Sequence, residues 1–163
     1  MAWHRRLMGE AGGAVVELAL ALPLLVAIFA GTVDFARVFY SAIGLTNAAR
    51  AGAMYGSYSP ARSSPAGLAQ AQAAALAAIV PNTGVSATAS RNCTCATNAG
   101  VFSATTPVND CTSPETTACS SGRHRVTTIT VTTTKTFTTI MGSIPGIPNS
   151  VNLTRSASLR VAN

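Results

Sequence analysis

The first long feature of the chain is an apolar run from Ala14 to Val33, with the sequence AVVELALALPLLVAIFAGTV. Its only ionisable residue is Glu17. A helix of this length, at about 1.5 Å per residue, spans the hydrocarbon core of a bilayer, which is about 30 Å thick. The run therefore predicts a transmembrane helix over residues 13–34. Pro23 lies inside it and removes one backbone hydrogen bond, so we expect a kink there.

Past this run, apolar residues return every three or four positions. That period is typical of one helical face, so the helix is expected to continue to about residue 55. The apolar stripe that results is expected to pack against the C-terminal domain, and contact with neighbouring subunits is the alternative. Its members are Phe35, Val38, Phe39, Ala42, Leu45, Ala49, Gly52 and Ala53.

A second helix and three strands are predicted in the remaining sequence. After a Ser- and Pro-rich linker, the segment from Pro65 to Val80 predicts a helix that Ser64 caps and Pro81 ends. This Ala-rich helix should pack on the first one. Runs rich in Val, Ile and Thr favour strands, and they cover Val85–Ala89, Arg125–Ile140 and Val151–Val161.

The strands suggest a small antiparallel sheet. A turn or loop over Gly142–Pro148 separates the last two strands, which makes them candidates for an antiparallel pair. Alternation along the long strand is imperfect, which leaves room for a bulge near Thr133. The elements together predict an α+β fold, in which a long N-terminal helix, transmembrane and then amphipathic, packs on a small antiparallel sheet domain. We expect that domain to occupy residues 35–163, with residues 1–12 as a leader.

The charge of the chain is low and unevenly placed. Only 10% of the 163 residues are charged and 48% are hydrophobic, which disfavours a disordered tail and a typical cytosolic enzyme. The net charge of +6 comes from basic residues spread between Arg5 and Arg160. They form no dense patch in the sequence, so we expect no nucleic-acid partner.

The residues that flank the apolar run predict its orientation. His4, Arg5 and Arg6 precede it, whereas Asp34 and Arg37 follow it as a nearly neutral pair. The positive-inside rule therefore keeps the N-terminus in the cytoplasm and sends residues after about 35 outward. The alternative is a secretory signal peptide that a signal peptidase removes after Ala30, which would release a secreted binding domain.

Glu17 is unfavourable in a membrane span, because a charged side chain toward the bilayer centre raises the insertion free energy by about 2.5–3.5 kcal/mol. The sequence just before it supplies a reason. A peptidase cut between Gly12 and Gly13 would create an ammonium group four residues from the carboxylate, and the ammonium of a neighbouring subunit could neutralise Glu17. Type IV prepilin signals have this arrangement. The alternative is that Glu17 lies at headgroup level and that no processing occurs.

The segment GGAVVELALALPLLVAIFAGTVDFARVFY, followed by LTNAARAGAMYG, resembles the TadE-like family of pseudopilins of the tight-adherence (Tad/Flp) pilus system. Family members usually have Glu where Asp34 stands, and often Phe or Tyr where Leu18 stands. The residues that carry the resemblance are Val16 beside Glu17, Pro23, the group Asp34, Phe35, Arg37 and Tyr40, and the group Asn47, Ala48 and Arg50.

The resemblance implies a pilin-like, membrane-anchored structural subunit. It implies that the protein is a minor pseudopilin in assembly or initiation of a Tad-type (type IVb) pilus. The partners would be a prepilin peptidase, other pilins and pseudopilins, and the Tad inner-membrane assembly platform. The expected location is a bacterial inner membrane with the C-terminal domain in the periplasm, from which the subunit could enter an extracellular pilus.

All four cysteines, Cys93, Cys95, Cys111 and Cys119, fall in a polar insert at residues 91–122. An even number of cysteines in an outward-facing segment predicts disulfides. A bridge between Cys93 and Cys95 would close a very small, strained ring, which favours the crossing or the nested pairing with the other two. A zinc site that includes His124 is the alternative, although Cys-x-Cys is not the usual zinc-knuckle spacing.

Catalytic motifs are missing from the sequence. It has no Gly-x-Ser-x-Gly elbow, no Gly-x4-Gly-Lys loop and no His-Glu-x2-His pair. The few acids are too scattered to converge easily as an acid/base couple. We therefore expect no catalytic residue, no metal, no cofactor and no enzymatic activity.

Overall fold

The computed structural model describes residues 6–97, Cys111, Cys119, residues 123–143, Gly146 and residues 148–162. Its elements confirm the predicted α+β class, with one long N-terminal helix and a three-stranded antiparallel sheet. In chain order they are α1 (Arg6–Ser57), α2 (Pro65–Ala77), β1 (Val85–Thr97), β2 (Arg123–Thr138), a 3₁₀ turn (Ile140–Ser143) and β3 (Ser150–Arg160).

The chain divides into two compact units. Unit 1 takes α1 as far as Phe39 together with the segment Thr138–Ser150. Unit 2 takes residues 40–137 and 151–163, which contain the rest of α1, α2 and almost all of the sheet.

Helix α1 is longer than the sequence predicts at its N-terminal end. It already includes residues 6–12, which were expected to form a separate leader. No proline interrupts this stretch, so the helical backbone simply continues through it. The helix also continues through Pro23, and the kink there stays a prediction.

Only the second half of the predicted apolar stripe is buried. Leu45, Ala49 and Ala53 are completely inaccessible to solvent, whereas Phe35 is 73% and Phe39 is 60% exposed. Phe35 and Phe39 belong to unit 1, so packing of this part of the stripe on the C-terminal domain stays a prediction. Within unit 1 their rings stack on each other, with centroids 6.4 Å apart.

Helix α2 begins where the sequence predicts. The Ser64 side chain accepts a hydrogen bond from the Gly67 N–H at 3.2 Å, and Pro65 occupies the first turn. The helix ends at Ala77, three residues before the predicted Val80. Its buried face repeats every four residues, at Gly67, Ala71 and Ala75.

Small residues allow α1 and α2 to approach closely in unit 2. A Cβ atom added to Gly52 would lie 2.7 Å from the Ala71 carbonyl oxygen, 2.9 Å from the Ala75 Cβ and 3.1 Å from a Val131 methyl group. Contacts this short leave no room for a side chain, so glycine is required at this crossing. The predicted packing of the two helices is confirmed.

The strands are arranged in the order β1-β2-β3. Strands β1 and β2 pair antiparallel from Val85 with Lys135 to Thr97 with Arg123, without interruption. The predicted bulge near Thr133 was therefore wrong, because Thr133 lies directly opposite Ala87 in a regular ladder. Strand β1 also continues to Thr97, well past the predicted end at Ala89.

Side-chain contacts give the register between β2 and β3. Thr130 bonds Ser158 at 3.0 Å, and Thr136 donates to Asn152 at 2.9 Å. Residue numbers rise on one strand as they fall on the other, which is the antiparallel arrangement that the sequence predicts.

The sheet has one buried face and one outer face, as alternation requires. Odd-numbered residues of β2 face the helices, and Ile129, Val131 and Thr133 there are inaccessible. Thr133 is polar but paired, since its hydroxyl donates to the Leu45 carbonyl at 2.9 Å. The core of unit 2 consists of Ala53, Ala71, Ala75, Ile129, Val131 and Val161.

Candidate functional site

The N-terminal part of α1 has an apolar surface that the described chain does not cover. Every side chain from Gly12 to Phe29 is exposed, including Leu20 at 76%. The most apolar 18-residue window has a mean hydropathy of 2.4, and none of it is buried. Within the described residues, this is the one helix long and apolar enough to cross a bilayer, and it is consistent with a membrane anchor.

Glu17 is the only charged side chain in this apolar surface. It is exposed, and among the described residues it has no hydrogen-bond or ion-pair partner. Val16 and Pro23 lie on the same exposed stretch. An ionised carboxylate on an otherwise apolar helix is strongly unfavourable in an apolar medium unless a partner of opposite charge neutralises it.

Gly12 and Gly13 lie inside α1, in open surroundings. A Cβ atom at either position would meet nothing within 4 Å, so packing does not explain the two glycines. Each lowers helix stability by about 1 kcal/mol relative to alanine. Two adjacent glycines therefore lower the free energy that local unwinding of the helix requires at this point.

Asp34 forms a compact polar centre in unit 1. Asp34 as a whole residue is 8% exposed, and its carboxylate accepts hydrogen bonds from the Ile140 N–H at 2.8 Å and the Met141 N–H at 3.2 Å. The other carboxylate oxygen accepts from Arg37 at 3.0 Å. Asp34 thus caps the first residues of the 3₁₀ turn and fastens the β2–β3 connection to α1.

The remaining motif residues on α1 have different surroundings. Tyr40 is 79% exposed, and Asn47 and Arg50 are also exposed, whereas Ala48 is fully buried. Tyr40 and Asn47 line a groove of about 400 Å³ in unit 2, together with Lys135 from β2. This groove was not predictable from the sequence, because Lys135 is distant in the chain from Tyr40 and Asn47.

The four cysteines form two disulfides, Cys93–Cys111 and Cys95–Cys119, with Cα atoms 5.5 and 5.6 Å apart. Of the two pairings that the sequence left open, the structure has the crossing one. Cys93 and Cys95 are two residues apart on β1, so both side chains point to the same face of the sheet. They stand about 6.6 Å apart along the strand, too far for a bridge between them.

His124 lies on β2, and its ring nitrogen is 3.3 Å from the Arg160 guanidinium. A neighbouring guanidinium repels a metal cation, and the bridged cysteines offer no thiolate ligand. In the described ranges, no three His, Cys, Asp or Glu side chains come together as a possible metal site. The residues present do not fit the zinc alternative.

Residues 12–54 match the family model described as TadE-like protein. This segment of the chain is TadE-like. The resemblance predicted from the sequence is confirmed, and the match contains Glu17, Asp34 and the motif residues up to Arg50. It covers about a quarter of the 163 residues, so α2 and the sheet lie outside it. No curated protein and no solved structure shows significant similarity to the chain.

The match over residues 12–54 supports a component related to the Tad pilus, a system in which TadE-like proteins have a structural part. It supports association with other Tad pilus components in the same way. The described residues contain no positive sign of an enzyme, and the absence of enzymatic activity stays a prediction.

Proposed function

We propose that this protein is a minor pseudopilin, a single-pass membrane subunit that acts in assembly or initiation of a Tad-type pilus. The observation that carries the proposal is the apolar helix surface over residues 12–29, uncovered by the rest of the described chain and carrying one carboxylate at Glu17. Such a surface fits first a bilayer and then the helices of neighbouring subunits.

Processing is the first step of the proposed function. A prepilin peptidase cuts between Gly12 and Gly13, where two adjacent glycines make α1 easier to unwind. The cut removes the basic leader and leaves the apolar helix attached to the mature chain. Before the cut, the N-terminus is cytoplasmic and unit 2 is periplasmic.

Charge pairing is the second step. The α-ammonium group created at Gly13 of one subunit neutralises Glu17 of its neighbour in a medium of low dielectric constant. Apolar contacts supply most of the association energy, and the ion pair fixes the axial register because an unpaired buried charge is strongly unfavourable.

Intact mass spectrometry of the full chain, produced with its own prepilin peptidase, tests the processing step. We expect a mature chain that begins at Gly13, and an uncut chain when the peptidase is omitted. A mature chain that begins at Gly31 would overturn the proposal, because it would show release by a signal peptidase.

Glu17→Gln tests the pairing step without changing the size of the side chain. We expect normal cleavage at Gly13 but a loss of co-purification with the other Tad pilus components. Leu18→Gln is the matched control, because it introduces the same amide at the next position and keeps the carboxylate. Equal co-purification of Glu17→Gln and the unmodified chain would eliminate charge pairing.

A further inference from the structure

The outer face of the sheet in unit 2 has an unusual composition. In the central part of the sheet, even-numbered residues of all three strands point to this face, away from the helices. Towards the insert between β1 and β2, the even-numbered Ala96 and Val126 are buried. Fourteen even-numbered positions make up this face: 86–92 on β1, 128–136 on β2 and 152–160 on β3. Thirteen of them are Ser, Thr or Asn. The fourteenth is Arg160. We call this surface the hydroxyl face.

The hydroxyl groups of this face stand in ordered rows across the strands. Ser86 bonds Thr134 at 2.5 Å, Thr130 bonds Ser158 at 3.0 Å, and Thr136 donates to Asn152 at 2.9 Å. Neighbouring rows are about 6.6 Å apart along the strands, and neighbouring strands are about 4.8 Å apart. The face is thus a regular grid of hydrogen-bond donors and acceptors.

The surroundings of the hydroxyl face are cationic. The described residues of unit 2 contain no Asp or Glu and eight Arg or Lys side chains. Arg160 and His124 stand together at one end of the face, with Arg160 exposed. At the other end, a depression of about 330 Å³ is lined by Ser86, Thr134, Thr154 and Asn152 with Lys135.

This combination selects one class of ligand. A protein partner or a lipid surface would need apolar area, which these Ser, Thr and Asn positions do not supply. Stacking of unpaired bases would need Phe, Tyr or Trp, and no outward position between the two ends has one. A polymer that is itself rich in hydroxyl groups and carries anionic groups matches both the grid and its charge.

We propose that the hydroxyl face binds an acidic polysaccharide, with Arg160 and His124 contacting carboxylate or sulfate groups and the Ser and Thr rows contacting sugar hydroxyls. Each subunit alone holds the polymer weakly, because every hydrogen bond replaces one to water. Copies of the subunit along one assembly would bind the same polymer together, which multiplies the affinity. The binding surface belongs to unit 2 alone, so its test on the single subunit is separate from the processing and pairing steps, whereas the multiplied affinity rests on the proposed assembly.

The test uses the full chain in detergent micelles and immobilised alginate, a polyuronate, as the probe. We expect retention on alginate that falls with added salt, and much weaker retention on neutral dextran. Equal retention on dextran would remove the role of charge. Equal retention on duplex DNA would show a general response to polyanions. Either result would overturn the proposal.

Two variants locate the binding surface. Arg160→Gln should weaken alginate binding about tenfold, since a charge-assisted hydrogen bond is lost. Arg50→Gln removes the same charge from an exposed position on α1 and should change binding little. Thr130→Val with Thr132→Val removes two hydroxyls of the grid while it keeps the side-chain shape and the strand preference, and it should also weaken binding.

Circular dichroism of each variant confirms that the sheet is intact. Unchanged alginate binding in both the Arg160 and the threonine variants would refute the assignment of this face. An equal loss in Arg50→Gln would do the same, because it would show that net charge alone governs retention.

Discussion

Asp34 shows how one side chain joins segments that are far apart in the sequence. The sequence predicted Asp34 at the border of the membrane span, but it did not show what the carboxylate contacts. Its partners are the N–H groups of Ile140 and Met141, more than a hundred residues further along the chain. The ion pair with Arg37 is local, between residues three positions apart on α1.

Asp34→Ala should destabilise unit 1 much more than Arg37→Gln. The alanine leaves two backbone N–H groups without their acceptor, at a cost of about 1–3 kcal/mol. The Arg37 side chain is 46% exposed, and surface ion pairs of that kind contribute about 0–1 kcal/mol.

Amide hydrogen exchange of the full chain in micelles measures this difference directly. Ile140 and Met141 should exchange faster in Asp34→Ala and nearly normally in Arg37→Gln. Equal exchange in the two variants would show that the guanidinium, and not the cap on the 3₁₀ turn, holds this connection.

The absence of a side chain at Gly52 allows the two helices of unit 2 to approach closely. Gly52→Ala should destabilise unit 2 by about 1–3 kcal/mol, because the added methyl group overlaps backbone and Cβ atoms of α2 that cannot move separately. The higher helix propensity of alanine offsets about 1 kcal/mol of that loss. Thermal unfolding in micelles measures the net effect.

Gly44→Ala is the control for this substitution. It lies on the same helix, and its new methyl group would meet only the end of the Ile79 side chain, at 3.3 Å. We expect an unchanged or slightly higher melting temperature. A similar loss of stability in both variants would mean that flexibility of α1, and not close helix contact, requires these glycines.

Strong local signals made α2 and the long strand β2 predictable. The cap at Ser64 and Pro65 in the first turn predicted the start of α2. The Thr-rich run predicted β2. The length of β1 was not predictable, because Ser90, Arg91 and Asn92 have little intrinsic strand preference. Pairing with β2 and the bridges of Cys93 and Cys95 extend the strand to Thr97, and these are long-range effects.

Only those features of the candidate site that depend on local sequence were predictable. The membrane-length helix and Glu17 are local features, readable from hydropathy alone. The contacts of Asp34, the groove beside Lys135 and the hydroxyl face depend on which segments meet. For the hydroxyl face, the sequence showed a Thr-rich strand, but three strands had to be placed in register before the grid appeared.

At the scale of the whole molecule, two disulfides tie Cys111 and Cys119 of the polar insert to strand β1. Removal of the pair Cys93 and Cys111 by a double serine variant should lower the stability of unit 2 by about 2–4 kcal/mol. The second bridge should still form in that variant. Peptide mapping without reduction should find Cys95 joined to Cys119, and a bridge in any other combination would contradict the crossing arrangement.

The crossing of the two bridges has a consequence for survival outside the cell. Any single backbone cut between Cys93 and Cys119 is spanned by at least one bridge, since the two loops overlap. After one protease cut in the insert, the two pieces of the chain would stay joined by a disulfide. Only reduction of the disulfides would separate them. In the pilus proposed above, such subunits would tolerate a single proteolytic cut between Cys93 and Cys119 without breaking.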